Sequence, residues 1–336
     1  MVPLRTRTFA ACSGCSLCLL SCPVWRSTHD IRLTPHGRAK ALQHGACAGD
    51  LVESLDSCTL CGACEPACPE SIDLVGMVTG LRGELARNTG APPTFDGGVS
   101  GNSQSTALRL SSGSAVQSRH SMPFPTGDIS PPTMLIAGPA WTENATLLHS
   151  IIQQFGGDVA IRVSNDSGAD ISIALTKGLA IPPERLEHFL APLKTTLRVI
   201  VADGRLFYAL KNWLHGVTIA SLGEALSALP QVREKLNDSD FYVIEPVAFH
   251  RDHERLISHY DSLRLASGCT MNLDLQRMAI PTTASAHHSG RVNANEQVRW
   301  ILEGRNPARI VVEDLADVAA FTRVTDTPVV HLADLS

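Results

Sequence analysis

Eight of the ten cysteines in this 336-residue chain fall into two copies of one spacing pattern. The first copy is Cys12-x2-Cys15-x2-Cys18-x3-Cys22, and the second is Cys58-x2-Cys61-x2-Cys64-x3-Cys68. Each copy ends in a proline, Pro23 or Pro69, whose fixed φ and missing N–H suit a chain that leaves a tight ligand loop. Three thiolates at this spacing can surround one face of a metal cluster, and this requirement constrains the fold more than any other feature of the sequence.

The pattern is the bacterial ferredoxin signature for cubane [4Fe–4S] clusters, in which the fourth cysteine of each run binds the other cluster. Its doubling therefore predicts two [4Fe–4S] clusters with crossed ligands. The first cluster site consists of Cys12, Cys15, Cys18 and Cys68, and the second cluster site of Cys58, Cys61, Cys64 and Cys22. Small residues between the ligands, such as Gly14 and Gly62, leave room for backbone N–H groups to reach the cluster sulfurs.

Other uses of the cysteines fit the pattern poorly. Disulfide frameworks are typical of small secreted domains, and residues 1–11 contain no long apolar run that would indicate a secretory signal. Structural zinc uses two Cys-x2-Cys pairs for each ion and has no need of the third step or the Cys-Pro ending. Cys47 and Cys269 lie outside the pattern and are interpreted as ordinary semi-buried thiols.

Composition limits the class of protein. The length suggests about two domains, and a hydrophobic content of 44% is enough for a normal core. With 28 Lys and Arg against 33 Asp and Glu, the net charge of −5 provides no basic surface for nucleic acid. No apolar stretch approaches the roughly 18 residues that a transmembrane helix needs. These features predict a soluble cytoplasmic protein, with peripheral attachment to the cytoplasmic face of the membrane as an alternative.

Three segments of different composition follow one another. Residues 1–88 hold both cysteine runs and helix-period apolar residues, which predict an α-helical domain with clusters at its helix ends. Residues 89–132 are rich in Gly, Ser, Pro, Thr and Asn and predict a flexible or extended linker. Residues 133–336 alternate apolar runs with amphipathic stretches, which predicts an α/β domain of two related halves meeting near residue 236. The fold class is therefore α+β overall.

Individual elements follow from the same periodicities. In the first domain we predict helices over 38–43, 50–55 and 72–85. In the α/β domain, we predict strands over 134–137, 171–175, 197–202, 241–244 and 310–312, and helices over 143–155, 184–190 and 295–302. Asp314 is expected to end the last of these strands and to begin the final helix.

The residues around the ligands resemble those of a known protein family. The relevant stretches are residues 15–25, the segment Thr34-Pro35-His36-Gly37-Arg38, and residues 55–69. They are similar to the iron–sulfur subunit of glycolate oxidase, to the lactate-utilisation and anaerobic glycerol-3-phosphate dehydrogenase iron–sulfur subunits, and to heterodisulfide-reductase-like proteins. The resemblance covers roughly residues 8–88 and implies an α-helical ferredoxin domain.

The resemblance continues weakly into the α/β domain, where the departures are informative. The related subunits carry a paired repeat with Cys-Cys-Gly, which supplies ligands for a further iron–sulfur site or for disulfide chemistry. This chain has no Cys-Cys, and residues 164–168 and 286–290 stand in the corresponding places. The resemblance therefore implies a degenerate domain of the Cys-Cys-Gly type.

No catalytic residue is predicted outside the cysteine runs. His250, His253, His287, His288 and Cys269 are residue types that can bind a metal, but their spacing matches no recognised ligand motif. The sequence also lacks a G-x-G-x-x-G fingerprint after its first strand, a phosphate loop and a G-x-S-x-G elbow. We therefore expect no nucleotide or flavin bound by this chain itself.

Three functions remain compatible with these features. The first is an electron-transfer subunit that relays single electrons between a flavoprotein dehydrogenase or reductase and a second acceptor such as a quinone, with a membrane quinone-reducing subunit as a further candidate partner. The second is a self-contained reductase with a small-molecule site in the α/β domain. The third is a non-catalytic iron–sulfur scaffold or sensor. A copurifying flavoprotein would favour the first, and a ligand in the α/β cleft would favour the second.

Overall fold

The computed structural model describes residues 7–88, 133–286 and 291–335. The linker predicted at 89–132 and the histidines His287 and His288 lie outside these residues, so the predictions made for them stay open. Within the described ranges, no helix combines the length and the apolar character needed to cross a membrane.

The first domain is built from short helices around a small apolar core. Its helices are α1 Leu17–Leu20, α2 Pro23–Thr28, α3 Pro35–Gln43, α4 Val52–Ser57 and α5 Leu74–Asn88, and its 3₁₀ turns are Phe9–Ala11, Ile31–Leu33 and Ala48–Leu51. Helices α3 and α5 confirm the helices predicted over 38–43 and 72–85. The residues 50–55, predicted as one helix, span the end of the 3₁₀ turn Ala48–Leu51 and the start of α4. The buried core side chains are Leu51, Leu55, Leu60, Val75 and Val78.

The second domain contains two parallel sheets of the same strand order. Its first half consists of β1 Thr133–Ile136, α6 Pro139–Thr142, α7 Ala145–Gln154, β2 Ile161–Val163, α8 Ala169–Lys177, α9 Pro183–Leu190, β3 Arg198–Val201, α10 Gly204–Trp213, β4 Thr218–Ser221, α11 Leu222–Ser227 and α12 Pro230–Arg233. The second half consists of β5 Asp240–Val243, α13 Pro246–Arg251, α14 His253–Ser267, β6 Thr270–Met271, α15 Ala294–Leu302, β7 Arg309–Val312, α16 Leu315–Thr322 and β8 Val329–His331. The orders are β2-β1-β3-β4 and β6-β5-β7-β8, so the halves repeat one topology.

The sheets arise where buried apolar runs pair in parallel. Four of the five predicted strands are confirmed as β1, β3, β5 and β7, and they form the two central pairs. The three predicted helices are confirmed as α7, α9 and α15. Asp314 accepts a hydrogen bond from the backbone N–H of Ala316 and caps α16, as expected.

The strand predicted over 171–175 is wrong, because these residues lie in α8. Gly168 and Gly178 flank this helix and both take left-handed backbone angles, with φ of +63° and +68°. The helix buries Ile171 and Ala174 three residues apart, whereas Ile173 is partly exposed. The glycines at both ends therefore favour a short helix here, although the β-branched residues of the apolar run favour a strand.

The two domains are in direct contact through α5 and α8. A Cβ atom on Gly178 would overlap the carbonyl oxygen of Thr79, and one on Gly83 would overlap the carbonyl oxygen of Gly178. Beside these glycines, Arg82 donates a hydrogen bond to the carbonyl oxygen of Thr176 at 2.9 Å. The backbones approach this closely only because both positions lack a side chain.

Candidate metal centre

The first cluster site surrounds a small cavity in the first domain. Its wall contains the cysteines Cys12, Cys15, Cys18 and Cys68. The first three come from one loop and the start of α1, whereas Cys68 reaches the cavity from the second cysteine run. The structure therefore brings together the four thiols that the spacing pattern assigned to the first cluster.

The second cluster site also surrounds a small cavity. The cysteines in its wall are Cys22, Cys58, Cys61 and Cys64. Here Cys22 comes from the first run and lies at the N-terminal end of α2, opposite the second run. Each fourth cysteine thus faces the other run, although ligation itself stays a prediction.

The two ligand loops share an unusual backbone conformation. Gly14 and Leu60 occupy equivalent positions in the two runs and have φ of +86° and +56°. Ser16 and Gly62 form a second equivalent pair, with φ of +65° and +79°. Left-handed backbone costs a residue with a side chain roughly 1–2 kcal/mol, so Leu60 and Ser16 keep it only because the surrounding loop requires it. One residue of each pair is a glycine, which is the residue type that favours positive φ. The positive φ of Leu60 was not predicted.

The chemistry of the thiols fits a metal cluster. Burial, together with the charges of the neighbouring cysteines, raises the pKa of Cys18 to about 12, and burial raises that of Cys61 to about 12. Crowded buried thiols therefore hold their protons until positive charge is supplied, and metal binding releases those protons. In the part of the chain that the structure describes, no group of three or more His, Cys, Asp or Glu is arranged to hold a single metal ion. Four thiols spread around a cavity instead suit a cluster in which each iron binds one cysteine.

A buried arginine provides a second test of the fit. Arg38 is 1% exposed and lines the cavity of the second cluster site. Its Nη1 donates to the carbonyl oxygens of Leu33 and Ser54, both at 2.9 Å, while its Nε is buried and has no hydrogen-bond partner among the described residues. A buried cation needs a negative partner, and an iron–sulfur cluster with four thiolates is anionic. The cavity of the second cluster site thus suits such a group.

The segment Thr34-Pro35-His36-Gly37-Arg38 explains how Arg38 reaches this position. The hydroxyl of Thr34 accepts from the backbone N–H of Gly37 at 3.2 Å and donates to the carbonyl oxygen of Ile31 at 2.6 Å, which fixes the start of α3. Pro35 occupies the first turn, where its missing N–H costs nothing. A Cβ on Gly37 would overlap the carbonyl oxygen of Ile31, so glycine permits the close approach that directs Arg38 inward.

The first cluster site has different polar neighbours. Lys40 donates to the carbonyl oxygen of Cys12 at 3.0 Å, and the His36 ring lies 3.2 Å from the hydroxyl of Ser16. Glu70 also lines this cavity and forms an ion pair with Arg7. Lys40, His36 and Glu70 are all partly exposed. Positive and negative groups are therefore mixed here and are in contact with solvent.

Helix α13 of the α/β domain covers the second cluster site. His250 is 3% exposed, and its Nδ1 lies 2.7 Å from the carbonyl oxygen of Cys61. Burial lowers the pKa of His250 to about 3, so the ring is neutral near pH 7 and Nδ1 carries the proton it donates. The next residue, Arg251, forms an ion pair at 2.8 Å with Glu65, which is itself buried. The predicted metal candidate His250 thus contacts a cysteine loop and not a separate site.

The remaining candidates are dispersed. Cys269 is 1% exposed and Cys47 is exposed, so the expectation that both are semi-buried is wrong. His253 packs edge to face against Phe249, with the ring centroids 5.2 Å apart. His287 and His288 lie outside the described residues.

A network of buried polar groups in the α/β domain was missed by the sequence analysis. Glu313 follows β7 and accepts hydrogen bonds from the hydroxyls of Tyr242 and Tyr260, at 2.6 and 2.8 Å, and from the backbone N–H of Glu245 at 2.8 Å. Burial raises the pKa of Glu313 to about 7 and that of Glu245 to about 8. The position of the glutamates directly after strands was the available signal, since ligand crevices of α/β sheets lie at the carboxyl ends of strands.

A family model described as a 4Fe-4S dicluster domain matches residues 8–72, a range that includes both cysteine runs. No curated protein and no solved structure matches the chain. The family match supports the same chemistry as the two cysteine-lined cavities and the buried arginine. The chain is an iron–sulfur protein, and its residues 8–72 are similar to a 4Fe-4S dicluster domain.

Proposed function

We propose that the protein is an electron-transfer subunit that relays single electrons between a flavin-dependent oxidoreductase partner and a second acceptor such as a quinone. The observation that carries the proposal is the pair of cavities, each lined by three cysteines of one run and one of the other. The resemblance to iron–sulfur subunits of glycolate oxidase and lactate-utilisation systems supplies the class of partner. When bound, clusters at these two sites accept and donate one electron at a time.

The two cluster sites differ in how closely a partner protein can approach them. Cys15 of the first cluster site is exposed, whereas Cys22 of the second is 7% exposed and is covered from one side by α13. A partner can therefore approach the first site closely. The second site lies against the α/β domain, which we assign the role of a docking scaffold.

The scaffold role is supported by what occupies the carboxyl ends of the strands. The carboxylate of Glu245 lies against Gly204 at the start of α10, and that of Glu313 lies against Gly223 in α11. These carboxylates of the second half pack against the first turns of two helices of the first half, where an anionic ligand would otherwise bind. A self-contained reductase would need this space for its substrate.

The proposal is tested by isolating the protein anaerobically from its source cells with whatever binds it. We expect a flavoprotein to copurify, and the substrate of that flavoprotein to bleach the visible absorption of the bound clusters. The isolated chain should not respond to the same substrate. Substrate turnover by the chain alone, with no partner present, would contradict the proposal.

Variants in the α/β domain separate the relay from the reductase. Replacing His253, Cys269, His287 or His288 with alanine should leave electron transfer from the partner within a few-fold of the parent rate. Loss of a metal ligand or of a proton-transfer residue typically costs roughly 10²- to 10⁴-fold. A hundredfold loss in any one variant, with the clusters retained and the circular dichroism unchanged, would favour the reductase.

A further inference from the structure

Two buried arginines have no carboxylate partner in the part of the chain that the structure describes. Arg38 is 1% exposed and Arg82 is 8% exposed. Arg82 donates to the carbonyl oxygens of Leu55, Cys58 and Thr176 at 2.7, 2.8 and 2.9 Å. Together with the carbonyl and hydroxyl acceptors of Arg38, these are neutral groups. Among the described residues, neither guanidinium forms an ion pair with a carboxylate, although the charge of Asp56 acts on Arg82 from beyond ion-pair distance.

Both arginines are neighbours of the second cluster site. Arg38 is part of the cavity wall; burial raises the pKa of Cys22, and the charge of Arg38 opposes that rise. Arg82 holds the carbonyl oxygen of Cys58, the first ligand of the second run. The positive charge of Arg82 is thus fixed on the same loop that carries three of the four thiols. Burial of an unpaired charge is costly, and the negative charge of a cluster at this site removes that cost.

Within residues 7–88, 133–286 and 291–335, the first cluster site has no such excess of buried positive charge. Lys40 brings one positive charge, and Glu70 brings one negative charge that is paired with Arg7. Because Lys40 and Glu70 are partly exposed, solvent and salt screen them. The two cluster sites therefore differ in the buried charge around them, even though each is lined by four cysteines.

We propose that Arg38 and Arg82 are the counter-charges of the second cluster site and make a cluster bound there easier to reduce than one at the first site. Reduction adds one electron, and hence one negative charge, beside two fixed positive charges. Burial alone acts in the opposite direction, because a less polar environment disfavours the more highly charged reduced form. The arginines outweigh burial because they lie in the same water-poor space, where neither forms an ion pair with a described carboxylate and the buried Glu65 is already paired with Arg251. This inference rests on the proposed function only for its consequence, that electrons entering at the exposed first site collect at the second.

The test is an anaerobic redox titration of the intact protein followed by electron paramagnetic resonance. In the parent protein, two midpoint potentials are expected, and the higher one should belong to the second site. The signals are assigned with Cys15→Ser, which disturbs the first site. If the signal that survives in Cys15→Ser has the lower potential, the proposal is overturned, whatever any arginine variant does.

Charge variants then test the arginines individually. At the midpoint potential of the parent's second cluster, Arg38→Gln and Arg82→Gln should each lower the ratio of reduced to oxidised cluster about tenfold, which is 59 mV for one electron. Arg38→Lys keeps the charge, so its ratio of reduced to oxidised cluster should stay within about threefold of the parent ratio. Arg32→Gln removes the same charge from an exposed position and should change neither potential. The first cluster should be unaffected throughout.

These outcomes distinguish a charge effect from a structural one. If Arg38→Gln and Arg38→Lys shift the ratio equally, the guanidinium acts through its hydrogen bonds and the proposal is wrong. If Arg38→Gln retains its iron and shows the parent ratio, the proposal is also wrong. A shift of the expected size in a chain that has no flavoprotein partner would support the counter-charges while contradicting the proposed relay.

Discussion

Replacing Cys22 with serine should destroy or convert the cluster built on the second cysteine run and leave the cluster on the first run intact. The reason is that Cys22 shares a cavity with Cys58, Cys61 and Cys64 although it belongs to the first run. Cys68→Ser should have the reciprocal effect, because Cys68 shares a cavity with Cys12, Cys15 and Cys18. The measurement is iron content together with electron paramagnetic resonance of the reduced, anaerobic protein. Each variant is expected to lose up to half of the iron.

Two further variants make the comparison specific. Cys47→Ser changes an exposed cysteine outside the pattern and should leave both signals at parent intensity. Cys61→Ser should disturb the same signal as Cys22→Ser. If Cys22→Ser instead disturbs the signal that is lost in Cys15→Ser, the ligands are not crossed.

Alanine at Gly178 should destabilise the protein by about 3 kcal/mol or more. The residue has φ of +68°, and left-handed backbone costs an alanine roughly 1–2 kcal/mol. The added Cβ would also overlap the carbonyl oxygen of Thr79, and overpacking of this kind costs about 1–3 kcal/mol. Because this contact joins α5 to α8 beside Arg82, cluster retention should fall together with stability. Anaerobic urea unfolding, followed by tryptophan fluorescence and visible absorption, measures both.

Gly80→Ala is the matched control for this contact. Gly80 lies in α5 close to Thr79, but a Cβ there would meet no heavy atom within 4 Å. The substitution should be neutral or stabilising by roughly 0.5–1 kcal/mol, since alanine favours a helix more than glycine does. Equal unfolding midpoints for Gly80→Ala and Gly178→Ala would show that the two helices do not pack backbone to backbone.

The ligand sets could be predicted because cysteine spacing is local chemistry. Three thiols within seven residues can close around one cluster whatever the rest of the chain does, and the fourth cysteine is assigned by the general rule for this pattern. The long apolar runs of β3, β5 and β7 were predictable for a similar reason, since they are continuous and buried. The apolar run at residues 171–175 was misleading because the glycines on either side of α8 decide its conformation.

The environment of the clusters could not be predicted from the sequence. The segment containing Arg38 was noticed only as a resemblance, and nothing local shows that its guanidinium is buried without a carboxylate. Arg82 lies in an amphipathic helix, where an arginine is ordinarily exposed. The glutamates Glu245 and Glu313 are 68 residues apart in sequence and become neighbours only when β5 and β7 pair in the same sheet. Short strands such as β2 and β6, of three and two residues, are too brief to produce a periodicity.

The central claim is that the chain holds two [4Fe–4S] clusters, one in each cysteine-lined cavity. The most direct measurement is the iron and acid-labile sulfide content per chain of protein purified anaerobically, with Mössbauer spectroscopy to identify the cluster type. The account predicts about eight irons and about eight sulfides, all in [4Fe–4S] clusters. A reproducible content near four, or near twelve, would contradict it.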